Sequence, residues 1–347
     1  MNLKETIFSL CRLFSVSGNE KVSSDALDAL IGHAFDEHHV DAVGNHVFVK
    51  KCGRENAPKI LVDTHFDEIG MMVTGIKEGG FLTVTNIGGV DTRILQSCEV
   101  IIYGKETLYG VVTSTPPHFR KPGESDKLQP MESLYIDTGY TKEALEEIAP
   151  LGTPVGFKPV YGELLGDRIF GKAFDDKACG ACAVCGIAQV DRQDLAGDVY
   201  FLFSAEEELG ARCAGLAAFG LSPDYALVID VTHAAVPEVT TRALYDMDTG
   251  VAIDLAVITD RKLTRMVIDL CQDKDIPYTV KACTGSTGTN ANVMGICADG
   301  IPTVLCSLPI KSMHSATEVL SLKDAQAVVD LVSAFVTSRE IGEVYAQ

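Results

Sequence analysis

The sequence predicts an α/β protein: a mixed, mostly parallel sheet flanked by helices, with a small β-barrel inserted into it. Three observations carry this reading. After Gly166, apolar runs of strand length alternate with helical patterns. The same kinds of element open the chain before residue 69. Between them, from Ile69 to about Asp167, short strands come at close spacing, broken by Gly-Gly and Pro-Pro turns, which is the texture of a small barrel or sandwich. The expected boundaries are therefore 1–69 with 166–347 for the helix-flanked domain and 70–165 for the insertion.

Lys4 to Phe14 and Lys21 to Phe35 carry helical patterns, separated by the turn formers Ser17, Gly18 and Asn19. His38 and His39 follow at the expected helix end and read as surface residues, because adjacent side chains point in different directions. Asp41 to Lys50 alternates as a strand with a turn at Gly44-Asn45, and Lys59 to Thr64 is a second, more buried strand. In the insertion, Met71 to Ile76, Gly80 to Thr85, Val100 to Tyr103 and Tyr109 to Ser114 read as strands. Arg120 to Gln129 is polar and is expected to be a loop. Helices are then expected over Lys177 to Val190, Ala211 to Phe219, Lys262 to Cys271, Asn290 to Cys297 and Lys323 to Thr337. Strands are expected over Val199 to Phe203, Tyr225 to Ile229, Tyr278 to Lys281 and Thr303 to Ser307. Ser321 and Asp324 suit a capping box for the last helix.

A chain of 347 residues exceeds one ordinary core. Its formal net charge of −19 argues against nucleic acid and against an anionic membrane surface. No segment has the length and apolarity of a membrane span, and the opening helix lacks the apolar core of a signal peptide. The eleven cysteines are odd in number and lie mostly among apolar residues, as reduced thiols in a cytoplasm would. Cys179, Cys182 and Cys185 have a spacing that occurs in iron–sulfur proteins, but the small residues between them favour a helix buried in the core.

The chemistry centres on Val199 to Gly210, where a buried-strand pattern ends in Glu206, Glu207 and Glu208. Carboxylates crowded at such a place lose hydration and repel one another, so a cation or a proton must neutralise them. In open α/β sheets, ligands bind beyond the carboxyl ends of the strands. Around those ends fall His65, Asp175, Glu207, Glu208, Asp230 and His314. Singly each has a structural reading: His65 an interior histidine, Asp175 and Asp176 a helix N-cap pair, Asp230 a turn residue, and the glutamates an acidic first helical turn. Jointly they point to metal, because imidazole with carboxylate suits zinc, cobalt or manganese, and one carboxylate can bridge two ions. Gly285-Ser286-Thr287-Gly288 lacks the lysine of a phosphate loop and reads as a turn facing substrate. His46 and His233 have no supporting spacing.

Five stretches carry a resemblance: His65-Phe66-Asp67-Glu68-Ile69-Gly70, Gly171 to Lys177, Glu207-Glu208-Leu209-Gly210, Asp230-Val231-Thr232 and Met313-His314-Ser315. They resemble the ordered motifs of the tetrahedral aminopeptidases, also called glutamyl or deblocking aminopeptidases, a family of dinuclear metallopeptidases in which some members are labelled endoglucanase. The likeness extends into the insertion through Thr115-Pro116-Pro117-His118 and Ile136-Asp137-Thr138-Gly139. It implies a zinc-peptidase-like fold and two divalent metal ions, zinc or cobalt foremost and manganese also admissible. His65, Asp175 and Asp230 would hold one ion and Asp175, Glu208 and His314 the other, with Glu207 as general base to a metal-bridging water and Asp67 orienting His65. It further implies short peptide substrates, dimerisation through the insertion and a tetrahedral dodecamer.

Four departures from the family pattern are Asn290 where Asp is usual, Lys177 for a frequent Arg, Cys213 for Gly, and the stretch Met247 to Val251. Two other functions compete. A glycoside hydrolase would use paired carboxylates, but has no need of His65 and His314, and the chain has no tryptophan for a sugar platform. A catalytically impaired, self-assembling peptide-binding protein would not be expected to keep all five ligands and Glu207.

Overall fold

The computed structural model describes residues 1–119, 128–239, 244–283 and 285–345. Most of the polar stretch 120–129, expected as a loop, lies outside them. The chain enters a large sheet through β1 (Glu37–Val40), β2 (His46–Lys50) and β3 (Lys59–His65). It then leaves for β4 (Gly70–Lys77), β5 (Phe81–Ile87), β6 (Glu99–Tyr103), β7 (Thr107–Ser114), β8 (Leu134–Asp137) and β9 (Pro154–Phe157), which close an antiparallel barrel in the order β4-β5-β8-β7-β6-β9. It returns through β10 (Gly162–Leu164), β11 (Arg168–Gly171), β12 (Asp198–Ser204), β13 (Tyr225–His233), β14 (Val251–Leu255), β15 (Tyr278–Ala282), β16 (Thr303–Lys311) and β17 (Glu318–Ser321).

The large sheet runs β1-β2-β12-β3-β13-β16-β17-β11-β10, with β14 joining β16 to β15. Its centre, β12, β3, β13 and β16, is parallel; the strands to either side join it antiparallel, and β14, itself antiparallel to β16, carries β15 parallel to it. This is the fold class expected from the sequence. Parallel strands buried on both faces read as near-continuous apolar runs, and these do until they approach the sheet edge where their polar residues gather. Ile60, Val62, Val199, Phe201, Phe203, Leu227, Ile229, Val304 and Cys306 face the helices Leu3–Arg12, Phe174–Ala188 and Leu322–Thr337. Leu61, Leu202, Ala226, Val228 and Leu305 face the helix Ala214–Leu221 and the turn Ala291–Met294. The barrel fills its interior with its own inward set, including Met71, Val84, Ile102, Val112, Ile136 and Phe157.

The helix Phe174–Ala188 is buried along its length because its small residues admit neighbours on both sides. A Cβ at Gly180 would stand 2.1 Å from the Phe203 ring, and one at Gly186 2.7 Å from the Val329 carbonyl oxygen of the helix Leu322–Thr337. Cys179, Cys182 and Cys185 are buried thiols in this helix, raised above the ordinary range by burial.

Several local expectations need correction. The second helix is Ser24–Ile31, flanked by 3-10 turns Glu20–Ser23 and Gly32–Ala34. His38 and His39 belong to strand β1, and only His39 is exposed. The His38 ring stacks 4.0 Å from Phe48, bonds Asp28 at 2.9 Å and meets His46 Nδ1 at 3.2 Å. The Asn290 to Cys297 helix shrinks to Ala291–Met294. The capping box does not form: Ser321 accepts from the Lys323 amide, but Asp324 reaches out to accept from the amides of Asp248 and Gly250. The strands expected to end at Ile229 and Ser307 continue to His233 and Lys311.

Two predictions follow from this packing. Gly180→Ala gains up to ~1 kcal/mol of helix propensity but forces apart helix and sheet, a cost of ~1–3 kcal/mol; a lowered urea midpoint is expected, and an unchanged one would contradict the close approach. His46 is fully buried, and burial, aided by His38, pushes its imidazole down to about 4. Its folded pKa lies below the unfolded one, so its stabilisation is complete above pH 6.5 and is lost as pH falls from there through about 4. Roughly 3 kcal/mol is involved. Urea titrations of the protein and of His46→Phe should diverge over that window.

Candidate metal centre

Strands β3, β12 and β13 deliver their last residues to one edge of the sheet, where His65 lies beside Ser204 in register. Beyond Ser204 the chain does not start a helix. Four successive amides are instead taken by side-chain acceptors from three other parts of the protein. Ala205 donates to Asn45 Oδ1 at 2.9 Å, Glu206 to Glu20 Oε1 at 3.1 Å, and Glu207 and Glu208 to the two Asp67 carboxylate oxygens at 3.0 and 3.1 Å. This clamp holds Glu206 at a φ of 54°, where residues other than glycine are uncommon. The acidic-first-turn reading of the glutamates is therefore set aside.

Asp175 stands at the middle of the cluster. Its Oδ1 is 2.9 Å from His65 Nε2 and its Oδ2 is 3.2 Å from His314 Nε2. His65 Nε2 also lies 3.9 Å from Asp230 Oδ1, and His314 Nε2 3.3 Å from Glu208 Oε2. Two groups result, His65 with Asp175 and Asp230, and Asp175 with Glu208 and His314, each with its ligand atoms within 4.8 Å of one another. Asp230 sits inside β13 and is no turn residue. All six side chains singled out in the sequence thus come to one place, with Glu207 lining the same cleft of about 650 Å³.

The donors fit divalent ions. His65 Nδ1 donates to the Asp67 carbonyl at 3.0 Å, which leaves Nε2 facing Asp175 and Asp230. Contact between Asp67 and His65 is through this carbonyl, the Asp67 carboxylate standing 3.5 Å off. Burial pushes the carboxyls of Glu208 and Asp230 well up, and with neighbouring Asp67 and Asp175 it pushes Glu207 up to about 6. Burial would lower His65, but Asp175, Asp67 and Asp230 outweigh it and hold the imidazole well above its ordinary value; the bond to Asp175 raises His314 as well. Asp175 would itself be raised by burial, yet its bonds from His314 and His65 keep it well below the usual carboxylate range. A site that holds protons on two imidazoles between three carboxylates offers cations the same electrostatics.

One residue passed over in the sequence completes this frame. Glu318, buried in β17, accepts from the amides of Phe174 at 2.6 Å and Asp175 at 3.2 Å with one oxygen, and from the His314 amide at 3.1 Å with the other. It ties Asp175 and His314 together from behind. Its only sequence signal is an acid directly before the apolar pair Val319-Leu320. Glu20 and Asn45 act similarly on the acid loop, although in the sequence Asn45 carries only the signal of a turn.

The departures also find their places. Asn290 Nδ2 donates to Asp63 Oδ2 at 3.0 Å and to Ser204 Oγ at 2.8 Å. Lys177, fully buried, donates to the Leu13 carbonyl at 2.7 Å and to Glu68, which Lys172 also pairs. The Cys213 carbonyl accepts from Asn45. Asp248 and Gly250, in the Met247 to Val251 stretch, are held by Asp324. Ser286, Thr287, Gly288 and His233 line the cleft, as expected for the first three.

Residues 44–331 match the model of a family described as M42 glutamyl aminopeptidase. The lysyl aminopeptidase of Pyrococcus furiosus is 31% identical over 326 residues, 92% of each chain. Among solved structures, the TET1 peptidase of Pyrococcus horikoshii, described as able to assemble into a tetrahedron or a large octahedral shell, superposes with a TM-score of 0.84 at 30% identity, covering 96% of this chain and 99% of that one. A Thermotoga maritima protein titled endoglucanase superposes at 0.79 with 27% identity over 99% of each chain.

Asn45→Ala should leave the buried Ala205 amide without its acceptor at a cost of about 1–3 kcal/mol. Chemical denaturation measures this, and a variant as stable as the parent would show that the clamp on Ala205 contributes nothing.

Proposed function

The chain belongs to the M42 glutamyl aminopeptidase family, and from that premise we propose that it removes amino-terminal residues from short peptides with two divalent metal ions at the Asp175 cluster. One observation carries the assignment of the site: the two oxygens of Asp175 face different histidines, His65 and His314, as a carboxylate shared by two positions requires. His65, Asp175 and Asp230 would hold one ion and Asp175, Glu208 and His314 the other. Zinc or cobalt suits these donors best, and manganese is admissible. Ions so held supply a polarised carbonyl and a more acidic water.

The protein's own part is proton transfer and orientation. Glu207, which lines the cleft and has a carboxyl pushed up to about 6, takes the proton of the attacking water and returns it to the leaving amine. Asp67 holds the backbone of Glu207 and, through its carbonyl, the ring of His65. The roles assigned to Glu207 and Asp67 and the division of ligands between two ions are our reading of the geometry.

The endoglucanase title of the Thermotoga protein does not transfer, because the family match is to aminopeptidases and a pair of glycosidase carboxylates has no use for two facing imidazoles. An impaired binding protein is disfavoured by six side chains that still converge. For assembly we propose dimers through the barrel, which exposes Tyr109 and Val111 on β7, joined into a tetrahedral dodecamer as the tetrahedron of the TET1 relative suggests. Among the described residues no helix is long and apolar enough to cross a membrane. Residence in the cytoplasm is proposed from the reduced thiols.

Purified protein should release p-nitroaniline from aminoacyl-p-nitroanilides with a free amine, lose this activity in EDTA and recover it with zinc, cobalt or manganese, while N-acetylated versions stay inert. Glu207→Gln should lower turnover by roughly 10²–10⁴-fold with metal content unchanged. Equal activity in that variant would remove Glu207 from the reaction, and cleavage of a cellulose oligomer that survives EDTA would restore the glycosidase.

A further inference from the structure

The two triads are not walled alike. His65, Asp175 and Asp230 are all buried, and the residues that touch them belong to the helix-flanked sheet. In the other triad the His314 side chain is 35% exposed, against 2% for His65. Its remaining wall comes from the inserted barrel. Strand β5 ends at Ile87, and Gly88-Gly89 passes directly over Glu208 and His314.

At Gly88, whose φ is 73°, a Cβ would stand 2.8 Å from Ile69 Cγ2 and 3.3 Å from both Cβ and Oε2 of Glu208. At Gly89 it would stand 2.6 Å from His314 Nδ1 and 2.9 Å from its Cε1. A ring at a flexible surface position could swing away from an added methyl. This ring cannot do so without drawing Nε2 off Asp175 and Glu208, because the His314 backbone is fixed by Glu318.

We propose that Gly89, in the inserted barrel, is a positioning residue for the Asp175–Glu208–His314 metal position alone: its missing side chain makes room for the imidazole and so leaves Nε2 facing Asp175 and Glu208. The inference rests on the two-metal reading of the site. It makes one ion a ligand of the sheet domain only, and the other dependent on how the barrel sits against it. A ring pushed out of place by an added methyl loses the orientation that ligation needs, and disturbing the groups that orient a ligand weakens metal binding by roughly 10–100-fold.

The test uses the full chain, stripped of metal, titrated with zinc and counted by elemental analysis after dialysis. The parent is expected to keep two ions per chain and Gly89→Ala one, with the second ion bound at least tenfold more weakly. His314→Ala should also keep one, and the Gly89→Ala/His314→Ala double variant should match His314→Ala in both metal count and metal-free melting temperature, since the methyl then meets no ring. Two tightly held ions in Gly89→Ala would overturn the proposal. An equal drop in melting temperature from Gly89→Ala in both backgrounds would overturn it too, because Gly89 would then serve the barrel and not His314. A parent that binds fewer than two ions would overturn the dinuclear reading itself, an outcome distinct from either.

Discussion

Buried negative charge is the constraint to which the rest of this structure answers. Asp175, Glu207, Glu208 and Asp230 meet at the end of a dry parallel sheet, with Asp67 and Glu318 directly behind them. Taking one carboxylate out of water costs several kcal/mol unless partners replace the lost hydration. The partners found here are of two kinds. Imidazoles and, in the proposed working state, cations face the front row. Backbone amides face the back row: Glu207 and Glu208 donate to Asp67, and Phe174, Asp175 and His314 to Glu318. The amides that neutralise the rear carboxylates belong to the very segments that carry the front ones. Neutralisation and positioning are therefore a single set of bonds.

That economy depends on the sheet. Parallel strands place their carboxyl ends on one edge, so His65, the acid loop after β12 and Asp230 converge without long connections. Asp175 and His314 come from opposite sides and need a separate brace, which is Glu318. Small residues in the helix Phe174–Ala188 let that helix lie close to β12 and bring Asp175, near its start, over the sheet edge. The barrel enters between β3 and β10, and its Gly88-Gly89 segment can reach Glu208 and His314 because β4 begins only five residues after His65.

What the sequence revealed and what it concealed divide along the same line. The front-row residues were legible because each follows an apolar strand pattern or opens a helix, places where acids and imidazoles are out of keeping. The rear residues were not, since an amide acceptor has no motif. Glu318 acts on Asp175 across 143 positions and Asn45 on Ala205 across 160. Local patterns also misled where a side chain had a distant use. Asp324 has the spacing of a capping residue but serves the loop at Asp248 and Gly250, and Glu207 and Glu208 have the composition of a helix start while their amides are claimed by Asp67. His38 looked like a surface residue because the pattern missed β1, which turns its ring onto Phe48.

The same electrostatics account for the departure at Asn290. This side chain lies one layer beneath the proposed ligands, its amide nitrogen 3.0 Å from Asp63 Oδ2. Asp63 is fully buried, and burial pushes its carboxyl up to about 7. With aspartate at 290, the family's usual residue, two carboxyl groups would share that dry space and one would have to keep a proton, since like charges so close titrate as a pair. Asparagine supplies the donor permanently. It leaves every proposed ligand in place and replaces a proton that two carboxyls would have to share with a fixed N–H donor, so the substitution changes how the charge of Asp63 is held and not the proposed coordination.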